Sequence, residues 1–266
     1  MSKRTIGMGG FTLAEVLITL GIIGVVAAMT MPTLINSTNG AQYKTAYKKG
    51  LSVMSQAVAM NIALNDYDLS ETIEGTNGSA ESSGEGDDAV VGMDAEPQTI
   101  YSIFRNRMNV VKVRNGSDFK ATAGDVDYYP IISDGDADDY KDFATLHGGG
   151  NSFGTALTVG GSWKGDHTLL FMNDGITLIF DNTQHTCIDG TATNNITDSW
   201  CFGFIDVNGQ KGPNRVAKCD NGTLEESGTD SGACTVTNPT DIYPIAMYNQ
   251  SIVPASAAAR AVLYSK

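Results

Sequence analysis

Residues 11–32 read FTLAEVLITLGIIGVVAAMTMP, an apolar stretch whose only charged side chain is that of Glu15. At about 1.5 Å per residue, a helix of this length covers the roughly 30 Å of hydrocarbon in a bilayer. Lys3 and Arg4 precede it, and basic residues favour the cytoplasmic side of a membrane segment. The sequence therefore predicts a transmembrane helix with a cytoplasmic N-terminus and an exported remainder.

Two features distinguish this stretch from an ordinary cleaved signal peptide. Such a peptide is cut after its apolar core, and AAMTMP offers only a poor site there. Gly9 and Gly10 instead lie before Phe11, so a cut between Gly10 and Phe11 would keep the apolar helix at the new N-terminus. Glu15 is the second feature, because a carboxylate at bilayer depth is costly without a partner. We expect no partner within its own helix, and the new amino group of Phe11 would supply one.

The run Gly10-Phe11-Thr12-Leu13-Ala14-Glu15, followed by an apolar stretch and Pro32, resembles the class III leader and N-terminal helix of type IV pilins and type II secretion pseudopilins. The resemblance implies cleavage after Gly10 by a prepilin peptidase and N-methylation of Phe11. It also implies that Glu15 neutralises the amino group of a neighbouring subunit during filament assembly. A plain signal anchor that tolerates Glu15 is the alternative.

Beyond Pro32, the pattern predicts that the helix continues. Pro32 removes a backbone donor and is expected to kink or loosen the helix. Lys44, Lys48 and Lys49 are predicted to form a solvated face, with an inter-subunit face as the alternative. Apolar residues recur between them with helical spacing, which indicates packing under a head domain. These apolar residues are Tyr43, Tyr47, Leu51, Met54, Val58 and Ile62.

The rest of the chain is strongly acidic. Residues 66–266 carry 29 acidic and 12 basic side chains, and the whole chain has a net charge of −13. Because such a surface repels phosphate backbones, nucleic-acid binding through this part is not expected. Residues 71–96 hold eight acidic and no basic residues among many Gly and Ser, which is typical of an unpacked loop.

From about residue 100 the pattern indicates short strands separated by turns. The clearest strands, 168–172 and 176–180, flank Asn173-Asp174-Gly175, a sequence suited to a tight hairpin. A further strand is predicted at 201–207, and a short helix at 255–264. No pattern places residues 217–239.

The segment 204–214, FIDVNGQKGPN, resembles an element of pilin-like heads in which a DVNG turn precedes GPN. The two resemblances together imply an α+β fold, with a long N-terminal transmembrane helix packed against an antiparallel β-sheet head. The predicted organisation is a cleaved leader at 1–10, a transmembrane or filament-core helix at 11–32, its second half at 33–65, an acidic low-complexity loop at 66–99 and a β-rich head at 100–266.

All four cysteines, Cys187, Cys201, Cys219 and Cys234, lie in the last third of the chain. An even count behind a membrane segment favours an oxidising compartment and two disulfides. Sequential pairing, 187 with 201 and 219 with 234, is the least entangled of three connectivities. Zinc at Cys187 and His185 would need two further ligands and reduced thiols.

No catalytic pattern is present, so an enzyme is not expected. Ser162 lies among glycines, but Lys164 occupies the position where a nucleophile elbow needs Gly.

Asp134, Asp136 and Asp138 alternate like the start of a calcium loop. Asp139 and Thr145 stand where an EF-hand needs Gly and Glu, so an EF-hand is rejected. An irregular calcium site is a weak candidate beside a solvated acidic loop, and no other cofactor is expected.

The sequence thus predicts a structural subunit of a type IV pilin-like filament, either a type II secretion pseudopilus or a type IV pilus. Before assembly it would cross the bacterial inner membrane once, with its head outside the cytoplasm. The implied partners are a prepilin peptidase, other pilin-like subunits, the inner-membrane assembly platform and the membrane itself. The alternative is a membrane-anchored binding module that does not polymerise.

Overall fold

The structure, a computed structural model, describes residues 12–75, 98–115, 167–182, 184–189, 200–209, 211–222, 224 and 234–265. The chain forms two compact units, residues 1–41 and 42–266. The elements, in chain order, are α1 (Leu13–Asn65), a 3₁₀ helix (Leu69–Glu71), α2 (Ile100–Arg107), β1 (Val110–Asn115), β2 (His167–Met172), β3 (Thr177–Asp181), β4 (Cys201–Asp206), β5 (Ile242–Tyr248), β6 (Ser251–Pro254) and α3 (Ala257–Tyr264).

In the first unit, the described residues belong almost entirely to α1. The stretch Leu13–Met31 has a mean hydropathy of 2.2, and none of it is buried by this chain. Thr19 and Thr30 donate their hydroxyls to the carbonyls of Glu15 and Val26, at 2.9 and 3.0 Å, so these polar groups need no water. Length and composition therefore suit a membrane anchor or a signal sequence.

In the second unit, an antiparallel sheet of six strands provides the frame. The strands lie in the order β1 to β6, so each one pairs with its neighbours in sequence. The predicted hairpin is β2–β3, in which Phe171 pairs with Thr177 and Gly175 takes a φ of +87° in the turn. With its apolar N-terminal helix and antiparallel sheet, the fold class is α+β, as predicted.

The second half of α1 packs on one face of this sheet through the predicted stripe. Tyr47 and Met54 are fully buried, and the ring of Tyr47 stacks on that of Tyr243 in β5, with centroids 4.0 Å apart. Gly50 permits the close approach, because a Cβ there would lie 3.3 Å from Cγ2 of Ile205. The predicted alternation is confirmed over Tyr47–Val58, where the predicted apolar residues are buried and Lys48 and Lys49 are exposed, whereas Tyr43, Lys44 and Ile62 are partly buried.

Both faces of the sheet are buried. Along β4, Cys201 and Ile205 join the core beneath α1, whereas Phe202 and Phe204 join a second core on the opposite face with Leu224. Alternate residues of a strand point to opposite faces, so a strand buried on both sides is apolar throughout.

Two regions differ from the sequence prediction. Residues 100–107 form helix α2, where strand-like runs were expected, and Thr99 caps it by accepting a hydrogen bond from the Ser102 amide at 3.1 Å. Ile100, Ile103 and Phe104 form its buried side, a helical pattern too short to be recognised between loops. Strands β5 and β6 were not singled out, in part because Pro244 lies within β5.

The predicted helix near 255–264 is confirmed as α3. Pro32 lies within α1, which continues through it, and the predicted kink stays a prediction. Residues 76–97 of the predicted acidic loop lie outside the described residues.

The close approach at Gly50 gives a test of the packing of α1. We expect Gly50→Leu to lower the free energy of unfolding by about 1–3 kcal/mol, because the buried Ile205 leaves no room for the larger side chain. Ser52→Leu, on the exposed side of α1, should change it by less than about 0.5 kcal/mol. Urea unfolding of the full chain in detergent measures both, and equal losses would contradict this packing.

Candidate functional site

The start of α1 brings Thr12 and Glu15 together. The carboxylate oxygen Oε2 of Glu15 accepts hydrogen bonds from the Thr12 amide at 2.8 Å and from the Thr12 hydroxyl at 2.7 Å. The Glu15 amide in turn donates to the Thr12 hydroxyl oxygen at 3.3 Å. This reciprocal arrangement is a capping box, which satisfies backbone donors at a helix start.

The expectation that Glu15 has no partner within its own helix is therefore wrong. The sequence contains the signal, since Thr-x-x-Glu is the capping-box pattern, and the partner is a neutral hydrogen-bond donor rather than an opposite charge. Both bonds from Thr12 reach Oε2 and neutralise no charge. Because the Thr12 donors are neutral, they do not compensate a charge on this carboxylate, and Oε1 has further lone pairs for a cationic partner.

Several predicted site residues lie outside the described part of the chain. They are Gly10 and Phe11 of the cleavage site and Asp134, Asp136 and Asp138 of the weak calcium candidate. Among the residues that the structure describes, no group of three or more His, Cys, Asp or Glu side chains could hold a metal ion.

Of the three lysines of α1, Lys49 forms an ion pair that the sequence did not reveal. Its Nζ lies 2.7 Å from the carboxylate of Asp174 in the β2–β3 turn. The Lys49 side chain is half-exposed, so the pair contributes little to stability and mainly fixes the turn beside the helix. Lys48 is exposed, as predicted for a solvated face.

The DVNG–GPN segment folds back on Asp241, a residue that sequence reasoning missed. The buried carboxylate of Asp241 accepts hydrogen bonds from the amides of Asn214 and Arg215, each at 2.8 Å. Asn208 donates its side-chain amide to the carbonyls of Lys211 and Gly212. Burial raises the pKa of Asp241, while these amides oppose the rise. In the sequence, Asp241 is marked only as an acidic residue immediately before strand β5, and nothing there indicates its hydrogen-bond partners.

The cysteine sulfur atoms form two pairs at disulfide distance, Cys187 with Cys201 and Cys219 with Cys234. This is the sequential pairing that the sequence favours. Cys187 also lies where three segments meet, because its amide donates to the Leu69 carbonyl at 2.9 Å and its carbonyl accepts from Asn249 at 2.7 Å. The first pair thereby ties the chain that follows α1 to the sheet.

Comparison with known proteins finds no match: neither a family model, nor a curated protein, nor a solved structure is similar to this chain. The candidate functional features of the described residues are the Thr12–Glu15 pair in an exposed apolar helix and the lysines of α1 beside Asp174.

The two cysteine pairs should contribute unequally to stability. They close loops of 14 and 15 residues, so their chain-entropy terms are equal at about 3 kcal/mol. Cys187 and Cys201 are buried at the junction with Leu69, whereas Cys234 is partly exposed. Replacing the first pair by alanines should cost at least about 1 kcal/mol more than replacing the second, because it also leaves a cavity. Urea unfolding of both double variants compares them, and equal losses would refute the difference.

Proposed function

We propose that this protein is a structural subunit of a type IV pilin-like filament, processed after Gly10 and assembled through α1. Its filament would be a type II secretion pseudopilus or a type IV pilus. The single observation that carries the proposal is an apolar helix that this chain leaves entirely uncovered and that contains a carboxylate, Glu15. An apolar surface of this length requires lipid or other helices around it.

The hydrogen bonds of Glu15 are compatible with both states of such a subunit, first inserted in the membrane and then assembled in the filament. In the membrane, the donors of Thr12 stabilise the carboxylate within one chain, so insertion needs no second subunit. During assembly, the charge that remains on Glu15 attracts the amino group of Phe11 on a neighbouring subunit. The charge pair would be strong in the apolar surroundings of packed helices and would set their register.

The fold supports the same proposal at a coarser level. A long N-terminal helix with its second half packed on an antiparallel sheet is the layout that the resemblance implies for a pilin-like protein. The alternative function, a membrane-anchored binding module, shares the anchor but does not require Glu15. Processing and assembly therefore distinguish the two.

Processing is the first expected outcome. The mature protein should begin at Phe11 and carry an N-methyl group, because Gly10 precedes an apolar helix that assembly has to retain. Mass spectrometry of the N-terminal peptide of membrane-extracted protein measures this. A chain that keeps Met1, or one that begins beyond Pro32, would refute the assignment.

Two substitutions separate the charge of Glu15 from its capping role. Glu15→Gln keeps an oxygen that can accept from Thr12 but removes the charge, whereas Glu15→Val removes both. Both variants should be cleaved and inserted in the membrane, and both should be depleted at least about tenfold from sheared filaments if the charge pair contributes about 1.4 kcal/mol or more.

A glutamine variant that assembles like wild type would show that capping alone is required. Normal incorporation of Glu15→Val would refute any assembly role for this residue. Glu15→Asp is the control that keeps the charge and tests the reach of the side chain.

A further inference from the structure

Among the described residues of the second unit, one group of basic and one group of acidic side chains lie at opposite ends of the sheet. One end, here called the hairpin end, contains the β2–β3 turn at Asp174 and the start of the β4–β5 connection after Asp206, which pairs across the sheet with Thr177. The other end, here called the helix-exit end, contains the β5–β6 turn at Asn249. The 67–75 segment lies there, since the Leu69 amide donates to the Asn249 carbonyl at 3.0 Å.

The hairpin end is basic at its surface. Lys49 contacts Asp174 there, and Lys48 is its exposed neighbour on α1. Lys211 and Arg215 are exposed on the connection that follows β4. The described acids of this end offset these charges only in part, because Asp174 is paired with Lys49. Asp206 and Asp241 are fully buried, and Asp220 is exposed further along the same connection.

Acidic side chains predominate among the described residues of the helix-exit end, although Arg114 of β1 lies near it. Asp66, Asp68, Glu71 and Glu74 fall within nine residues, and the chain has no basic residue between Lys49 and Arg105. Asp66, Glu71 and Glu74 are exposed, and within the described part of the chain none of the four forms an ion pair. Lys48 and Asn65 are 17 residues apart on α1, so about 26 Å of helix separates the two charged ends.

We propose that the basic hairpin end of one copy of this chain docks on the acidic helix-exit end of the next copy. The proposal rests on the proposed filament function and adds the surface through which the heads join. Opposite charges at opposite ends cannot pair within one subunit across this distance, but they meet when copies are displaced along α1. Such a head-to-tail contact is heterologous, and a heterologous contact that does not close into a ring produces an open filament.

Charge complementarity favours a second copy over other partners. The helix that contributes Lys48 and Lys49 to the hairpin end bears no acid from residue 16 to residue 65, whereas residues 66–266 carry 29 acidic side chains. Exposed charge pairs add little affinity individually, but a complementary pair of ends selects register and orientation and excludes like ends. An anionic lipid surface is the competing partner for Lys48, and the experiment separates the two.

Charge exchange at the two ends tests this contact in the full-length protein. Lys48→Glu and Glu74→Lys should each lower the share of the protein found in sheared filaments by about fivefold or more, because each places like charges across the interface. The combined variant restores opposite charges and should recover to within about twofold of wild type.

Two controls keep the interpretation specific. Lys48→Arg preserves the charge and should assemble like wild type. Gln56→Glu adds an acid to the same exposed face of α1, two turns from Lys48, and should also assemble normally. Membrane-bound protein is quantified in every variant, since loss from the membrane with Lys48→Glu would assign the lysine to lipid and overturn the proposal.

The remaining outcomes are equally decisive. Normal incorporation of Lys48→Glu into filaments, or a combined variant that is as impaired as the single ones together, would overturn the contact. Absence of the wild-type protein from filaments would instead refute the proposed function itself. Because the charged side chains exchanged here are exposed, thermal melting of each variant in detergent should match wild type and thus exclude misfolding.

Discussion

The stacking of Tyr47 on Tyr243 is the contact on which the second unit depends. Both rings are fully buried, and they join the second half of α1 to β5, a strand near the opposite edge of the sheet from the β2–β3 hairpin. Gly50, one turn further along α1, keeps the helix close enough for this contact. The helix and the sheet therefore share one core, and neither buries its apolar face without the other.

A single helix has to satisfy two environments, and its sequence changes accordingly. Leu13–Met31 is apolar on every side and uncovered, whereas the part after residue 42 has one buried stripe and one polar side. A helix that is apolar all round belongs in lipid or among other helices, and an amphipathic one belongs at the surface of a folded unit. Glu15 interrupts the first pattern, and its bonds to Thr12 show how a carboxylate is accommodated there.

Several backbone amides and carbonyls in the connections form hydrogen bonds that hold these segments against the sheet. The Asp241 carboxylate accepts hydrogen bonds from the amides of Asn214 and Arg215, so the backbone at these residues is held in place. At the other end of the sheet, Cys187 and Asn249 hold Leu69 through backbone hydrogen bonds. The described parts of these connections therefore have a defined backbone position at both ends of the sheet.

The sequence by itself determined the apolar helix, its continuation to residue 65, the β2–β3 hairpin and the favoured cysteine pairing. These features depend on local periodicity, on turn chemistry and on loop length, which neighbouring residues carry. Only the tertiary structure decided that residues 100–107 are helical, that Asp241 holds a distant loop and that Lys49 pairs with Asp174. Each of these results depends on partners many residues away, and no local pattern records which distant groups a fold brings within a few ångströms.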